Sequence, residues 1–169
     1  VYKRQDLDNV IREVGALYER FKSYPADGFR SAEFPLEDEP AAGVVLRGKI
    51  DAIFDDPEWG TRLIDWKTGG LGDASDQLAF YALLWALVED EIPGRLEAVS
   101  VKTGERFETA PSTRDVDETA MGVAQMIDEL RSAFVVGDPL ERRGGPWCRY
   151  CGALDGCPDG RAAVAVTSQ

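Results

Sequence analysis

Two stretches of sequence decide the fold: Gly48-Lys-Ile-Asp51 and Leu63-Ile-Asp65-Trp-Lys67-Thr-Gly69. They lie in segments 44–54 and 61–67, which read as two β-strands joined by a turn-rich connection centred near Glu58. A hairpin that turns there places Asp51 opposite Asp65, with Lys67 two residues further on the same face. The sequence therefore predicts two acids and a lysine converging on one point.

The two carboxylates of this hairpin need an explanation, because like charges directly opposite each other destabilise strand pairing. A divalent cation between them reverses the sign of the interaction. We therefore expect Asp51, Asp65 and the backbone carbonyl of Trp66 to be metal ligands, and Lys67 to position the attacking water. The residues alone leave a second interpretation open, a solvent-facing ladder of ion pairs. A one-residue slip of the pairing would move Asp51 to the other face.

The helix that follows the hairpin, expected over 76–89, carries two further candidate site residues. Gln77 and Tyr81 are four residues apart and share one helix face, which can lie beside the acids. From these residues alone, without the preceding motif, a Gln in the capping turn and a Tyr at the edge of the core is the preferred interpretation.

The remaining pattern predicts an α/β or α+β domain, a mixed central sheet flanked by helices at 7–22, 76–89 and 116–134. Further strands are expected at 30–34, 96–102 and 105–109, and an acidic loop at 37–39. The apolar periodicity of 7–22 is interpreted as that of an amphipathic packing helix. The length fits a single domain over 1–169 that ends in an irregular tail, 137–169.

The composition restricts the classes of function. A net charge of −12 argues against nonspecific nucleic-acid binding over the whole surface, but it allows a local basic groove or a basic neighbouring domain. No apolar run approaches the ~20 residues of a membrane span, and no signal peptide is recognisable at Val1. Since the first residue is not Met, we expect a fragment of a larger protein.

Three cysteines within ten residues form the pattern C-x₂-C-x₅-C: Cys148, Cys151 and Cys157. An odd, clustered set makes a disulfide framework unlikely and favours metal or cluster ligation in a reducing cytoplasm. Zinc and an iron–sulfur cluster both fit three thiolates. Both normally take a fourth ligand, and the chain has no His and no other Cys. Asp155 is a candidate, although its setting is more typical of a turn.

Taken together, Gly48-x-x-Asp51, Asp65-x-Lys67-Thr-Gly69 and Gln77-x-x-x-Tyr81 resemble the RecB-type branch of the PD-(D/E)xK nuclease superfamily, in order, over about residues 29–90. The resemblance implies a restriction-endonuclease-like fold and catalysis with Mg²⁺ or Mn²⁺. It makes Asp51 and Asp65 metal ligands and Lys67 the catalytic lysine. Gln77 and Tyr81 would support the site or contact DNA, and Glu33 matches an additional acidic position.

The resemblance also implies a four-cysteine 4Fe–4S cluster, of which Cys148, Cys151 and Cys157 match the three downstream ligands. The upstream cysteine, and a histidine found in many family members, are missing from this chain. Truncation before Val1 explains both absences. A decayed cluster, or a ligand from another chain, are the alternatives.

These observations lead to one main functional prediction and two alternatives. The main one is a Mg/Mn-dependent deoxyribonuclease, an exonuclease in DNA-end processing, recombination or repair, beside a helicase domain or subunit that supplies a basic DNA channel. The first alternative is a non-catalytic, iron–sulfur-stabilised DNA-binding or scaffolding module in a helicase or CRISPR-related assembly. The second is a zinc-stabilised interaction domain with no role in nucleic-acid chemistry.

Overall fold

The structure is a computed structural model that describes residues 4–137 and 142–166. Within these ranges the chain forms four α-helices, five β-strands and two short 3₁₀ helices. In chain order they are α1 (Arg4–Lys22), β1 (Phe29–Ala41), β2 (Val44–Asp56), β3 (Gly60–Lys67), α2 (Ser75–Glu89), β4 (Arg95–Ser100), β5 (Arg106–Thr109), α3 (Thr113–Val136), the 3₁₀ helices Pro146–Tyr150 and Leu154–Gly156, and α4 (Pro158–Val166).

The five strands form one mixed sheet in the order β1-β2-β3-β4-β5. Neighbouring strands are antiparallel except β3 and β4, which are parallel. A parallel pair needs a crossover connection, and α2 lies in that connection. The predicted α/β fold with a mixed central sheet and flanking helices is confirmed.

The core lies around β3, β4 and α2. Leu63, Ile64 and Leu96 are each 1% exposed, as expected for central strands that are covered on both faces. On α2, a run of apolar residues that includes Leu84 and Trp85 is also buried. A helix that is apolar nearly all round belongs in a core. Most of the candidate site residues therefore lie on well-packed elements, β3 and α2.

β1 is longer than the sequence predicts. The acidic segment 37–39, expected as a loop, continues the strand, with Glu37 opposite Arg47 and Asp38 opposite Leu46. Arg47 Nε lies 2.7 Å from Glu37 Oε2. The prediction was wrong because it considered the charges of segment 37–39 alone. The cation of Arg47 on the partner strand favours the strand pairing.

The interpretation of α1 as a packing helix is also incomplete. The side chains of its apolar face, such as Ile11 at 59% and Tyr18 at 58%, are more than half exposed. Near the helix C-terminus, the Phe21 ring packs edge-on against Trp66 with the centroids 5.1 Å apart. This end of α1 therefore reaches the sheet, while much of its apolar face stays in contact with solvent.

The chain divides into two compact units, Val1–Gly122 and Val123–Gln169. The first contains the whole sheet, and the second contains the cysteines. The single domain predicted over 1–169 stays a prediction. No helix in the described ranges has the length and apolar character needed to cross a membrane.

Candidate active site

The two aspartates lie where β2 and β3 separate. The ladder between these strands has the predicted register and ends at the pair Ala52–Ile64, one step before the expected Asp51–Asp65 pair. Beyond that point the Trp66 backbone N–H donates to Asp51 Oδ2 at 2.8 Å. The Asp51 side chain therefore takes the place of a main-chain acceptor and is held beside the strand that carries Asp65.

Gln77 on α2 connects the other candidate residues. Lys67 Nζ donates to Gln77 Oε1 at 2.5 Å. The Gln77 amide nitrogen donates to Asp65 Oδ1 at 2.8 Å and to the Tyr81 hydroxyl at 3.0 Å. The structure thus brings Asp65, Lys67, Gln77 and Tyr81 into one hydrogen-bonded network. The alternative interpretation of Gln77 as a capping side chain does not fit these partners.

Asp65 is nearly buried, with 5% of its surface exposed. Its Oδ2 lies 2.8 Å from Lys67 Nζ, which is an ion pair. The contact lacks hydrogen-bond alignment, so this buried oxygen has no hydrogen-bond donor among the described residues. A buried charged oxygen without a donor is costly. The Lys67 ammonium already offsets its charge, and the unfilled hydrogen-bonding capacity of this oxygen suits a second cation.

Asp51 is electrostatically unfavourable as a bare carboxylate. Its pKa is raised above the usual value, first by burial and then by the nearby charges of Asp65 and Glu33. The Trp66 N–H and the Lys67 ammonium lower this pKa and offset part of the effect. A divalent cation beside Asp51 would oppose the burial and the nearby negative charges that favour its protonated form.

The donor set fits a hard divalent cation that keeps water or substrate in its shell. In the part of the chain that the structure describes, no three His, Cys, Asp or Glu side chains are grouped so that they could hold a metal ion. The candidate site offers two carboxylates, those of Asp51 and Asp65. Mg²⁺ is commonly held by one or two carboxylates together with waters and substrate phosphates. The Trp66 carbonyl as a third oxygen ligand stays a prediction.

Glu33 lies on β1 with a φ of 53°, in the left-handed region. Its exposed side chain forms an ion pair with Lys49, which also lies on the surface. The charge of Glu33 reaches Asp51, since it contributes to the raised pKa of that carboxyl. A role for Glu33 as a metal ligand stays a prediction.

Ser100 supports the site and was not among the predicted site residues. Its hydroxyl donates to the Gly69 carbonyl at 2.6 Å and accepts the Thr103 N–H at 3.0 Å. The adjacent Val101 N–H donates to the Lys67 carbonyl at 2.9 Å. These bonds fix the backbone at Lys67 and in the loop that follows it. A serine at the end of the apolar strand β4 was the one signal in the sequence.

The absence of a side chain at Gly48 is explained by steric crowding. A Cβ at this position would lie 2.9 Å from Leu84 Cδ2 and 3.3 Å from Tyr81 Cε1. Glycine therefore lets α2 approach β2 closely, and this approach brings Tyr81 to the site. The first glycine of the Gly48-x-x-Asp51 motif thus serves helix–sheet packing.

The cysteines lie in the second unit, Val123–Gln169. The Gly145 N–H donates to Cys148 Sγ and the Gly160 N–H to Cys157 Sγ, both at 3.4 Å. Cys151 is exposed. Neither the three thiols nor Asp155 form a metal-binding group in the described ranges.

The comparisons with known proteins agree with the fold. The family described as the PD-(D/E)XK nuclease superfamily matches residues 2–158, so the chain belongs to this superfamily. It is a nuclease domain by family, and the members of this family typically use divalent metals.

A solved structure supports the fold. A protein named as a candidate exonuclease from Eubacterium rectale matches with a TM-score of 0.54 and 12% identity, over 90% of this chain and 61% of that one. A protein named SSO0001 matches with a TM-score of 0.49 and 19% identity, over 93% of this chain and 72% of that one. The chain therefore spans about three fifths of the first protein. No curated protein sequence gives a significant match.

Proposed function

We propose that this chain hydrolyses phosphodiester bonds in DNA with Mg²⁺ or Mn²⁺. The observation that carries the proposal is the network around Gln77, which holds Lys67 against Asp65 beside a second carboxylate, Asp51. The superfamily membership supports it. The carboxylate pair is unfavourable for the fold alone, because burial and the charge of Asp65 raise the pKa of Asp51, and a catalytic cation would offset this cost.

Each residue has a separate task in this proposal. Asp51 and Asp65 hold the cation, which when bound supplies Lewis-acid polarisation of the scissile phosphate. The Lys67 ammonium orients the attacking water and stabilises the charge that develops on the phosphate oxygens. Gln77 fixes the positions of Lys67 and Asp65, and Tyr81 fixes the amide of Gln77 or contacts the DNA.

We further propose that the reaction is exonucleolytic and belongs to DNA-end processing in recombination or repair. The RecB-type pattern of the motifs supports this assignment, and so does the name of the structural neighbour from Eubacterium rectale. The net charge of −12 supports a partner, a helicase domain or subunit, that supplies the positive DNA channel. The cytoplasmic location stays a prediction that rests on the cysteines.

For the second unit we propose a 4Fe–4S cluster held by Cys148, Cys151 and Cys157, with its fourth ligand outside this chain. The C-x₂-C-x₅-C spacing of the three cysteines supports the proposal. Anaerobic purification followed by iron, sulfide and zinc analysis tests this proposal. Zinc in place of iron would favour an interaction domain. Absence of both metals would contradict the proposed cluster.

Cleavage assays on end-labelled linear DNA with Mn²⁺ test the catalytic proposal. We expect the wild type to cleave, and Asp51→Asn and Lys67→Met to lose nearly all activity. Asp55→Asn is the matched control on β2, because its side chain is 62% exposed. A covalently closed circle of the same DNA tests the exonuclease assignment, since it should resist. DNA binding without cleavage by the wild type would favour the scaffolding module.

A further inference from the structure

Trp66 connects the candidate active site to the opposite face of the sheet. Asp65 and Lys67, its neighbours in the chain, point from β3 towards α2, where Gln77 is hydrogen-bonded to both. Because successive side chains of a strand alternate between its two faces, the Trp66 ring lies on the other face. There it packs against the buried apolar cluster of Ala52, Phe54, Ile64 and Val99.

The backbone of Trp66 orients the first carboxylate of the site. Among the described residues, its N–H is the one hydrogen-bond donor to the Asp51 carboxylate, at 2.8 Å. On this side of Trp66 the ladder between β2 and β3 has already ended, at the pair Ala52–Ile64. On the other side Trp66 stays paired with β4, opposite Val99. The direction of the N–H therefore depends on one strand pairing and on whatever holds the Trp66 side chain.

Two aromatic rings, one in the last turn of α1 and one just after this helix, hold the Trp66 side chain. The Phe21 ring centroid lies 5.1 Å from that of Trp66 with an interplanar angle of 74°. The Tyr24 ring lies closer, at 4.7 Å and 86°. Edge-to-face contacts are a favoured geometry of aromatic pairs, so they fix orientation in addition to burying apolar surface. The indole cannot rotate without losing both contacts.

Tyr24 is itself anchored to the centre of the sheet. Its hydroxyl donates to Glu97 Oε2 at 2.9 Å, and Glu97 is 1% exposed on β4. The other oxygen of Glu97 lies 3.3 Å from Arg62 Nη1, and the Arg106 guanidinium lies over the Tyr24 ring at 4.8 Å. Burial and the bond to Glu97 raise the pKa of Tyr24, so its hydroxyl stays a donor at neutral pH. The Tyr24 ring is therefore held in place independently of Trp66.

We propose that Tyr24 is a positioning residue of the metal site: it holds the Trp66 ring, and thereby the N–H that orients the Asp51 carboxylate. The inference rests on the proposed nuclease function and adds a residue that lies outside its motifs. Tyr24 acts through Trp66 and needs no contact with the cation or with DNA. Groups that orient metal ligands typically contribute 10- to 100-fold to metal affinity or activity.

Calorimetric titration of the DNA-free protein with Mn²⁺ tests the proposal. We expect Tyr24→Leu, which removes the ring and the hydroxyl, to weaken Mn²⁺ binding about 10- to 100-fold. Tyr24→Phe keeps the ring against Trp66 and should restore most of the affinity. The matched control is Phe107→Leu on β5, because the Phe107 side chain lines a small cavity beside α2 instead of packing on Trp66. This control should bind Mn²⁺ as tightly as the wild type.

Amide hydrogen exchange, followed by NMR on the metal-free protein, provides a second measurement. In Tyr24→Leu we expect a loss of protection at the Trp66 N–H that exceeds any loss at Leu63 and Ile64 of the same strand. If Tyr24→Leu does not fold, Tyr24→Met takes its place in both experiments, since methionine fills irregular gaps and also lacks the ring.

The outcomes separate this proposal from the proposed function. Unchanged Mn²⁺ affinity, or unchanged exchange at the Trp66 N–H, in the folded Tyr24 variant would overturn the positioning role. An equal loss of affinity in Phe107→Leu would overturn it as well, because the effect would then be one of general destabilisation. A wild type that binds no Mn²⁺ would instead refute the metal centre, and the exchange measurement would then decide whether Tyr24 holds the Trp66 N–H.

Discussion

Replacing Gln77 by leucine tests whether the network on α2 organises the site. The change removes three hydrogen bonds at once, to Lys67, Asp65 and Tyr81. The serious loss is at Asp65, whose Oδ1 would lose its donor while the residue is 5% exposed. An unsatisfied buried polar group costs about 1–3 kcal/mol. Lys67, at 29% side-chain exposure, can turn to water and adds little.

We therefore expect Gln77→Leu to lower the free energy of unfolding by about 1–3 kcal/mol, measured in urea with EDTA. Removing a group that orients metal ligands typically costs 10- to 100-fold in activity, and we expect a loss of about that size in Mn²⁺-dependent cleavage. The control is Gln125→Leu on α3, an exposed glutamine whose amide donates to Glu129 at 3.0 Å. That change should stay within about 0.5 kcal/mol of the wild type.

Unchanged stability together with unchanged cleavage in Gln77→Leu would refute the network as an organiser of the site. A loss of stability with full activity would make Gln77 a structural residue and remove it from the catalytic account. Gln77→Glu provides a second measurement, because it keeps the shape and places a third carboxylate beside Asp65. It should impair cleavage while restoring an acceptor for Lys67.

Three further predictions concern the surroundings of the site. Gly48→Ala should cost about 1–3 kcal/mol of stability in urea unfolding and reduce cleavage, because its methyl group would press on Leu84 and Tyr81; unchanged values would contradict the close approach of α2. Ser100→Ala should lower kcat while leaving Mn²⁺ affinity by calorimetry close to wild type, since the hydroxyl holds the loop after Lys67; an equal loss of metal affinity would place its effect elsewhere. Burial and the hydrogen bond to Glu97 raise the pKa of Tyr24 above the ordinary 10.0, so the stabilisation that this tyrosine adds is complete below about pH 10 and is lost as the pH rises further. Urea unfolding between about pH 9 and about pH 11 should therefore show a smaller decline in Tyr24→Phe than in the wild type, and equal declines would refute it.

The hairpin and the mixed sheet could be predicted because the signals are local. The turn-rich segment between β2 and β3 fixes the register, and the structure reproduces it from Asp56–Gly60 to Ala52–Ile64. The helix spacing of Gln77 and Tyr81 places them on one face, as the hydrogen bond between them shows. Patterns that depend on neighbours in sequence are readable from one chain.

The parts that were not predicted depend on contacts between distant segments. The extension of β1 through Glu37 requires Arg47 on the next strand. The buried Glu97 on β4 is balanced by Arg62 Nη1 at 3.3 Å and by the Tyr24 hydroxyl at 2.9 Å, three residues from three segments. Ser100 acts through its bonds to the loop after Lys67. No local pattern encodes these partners, because burial and pairing are decided by the tertiary fold.

The central claim is that Asp51, Asp65 and Lys67 form a metal-dependent nuclease centre. Mn²⁺-dependent cleavage of one labelled single-stranded oligonucleotide, by the wild type and by Asp65→Asn side by side, tests it most directly. Asn keeps the shape of the buried side chain and removes the charge that the cation requires. We expect cleavage that EDTA abolishes in the wild type and loss of nearly all cleavage in the variant. Equal cleavage by the two proteins would contradict the claim.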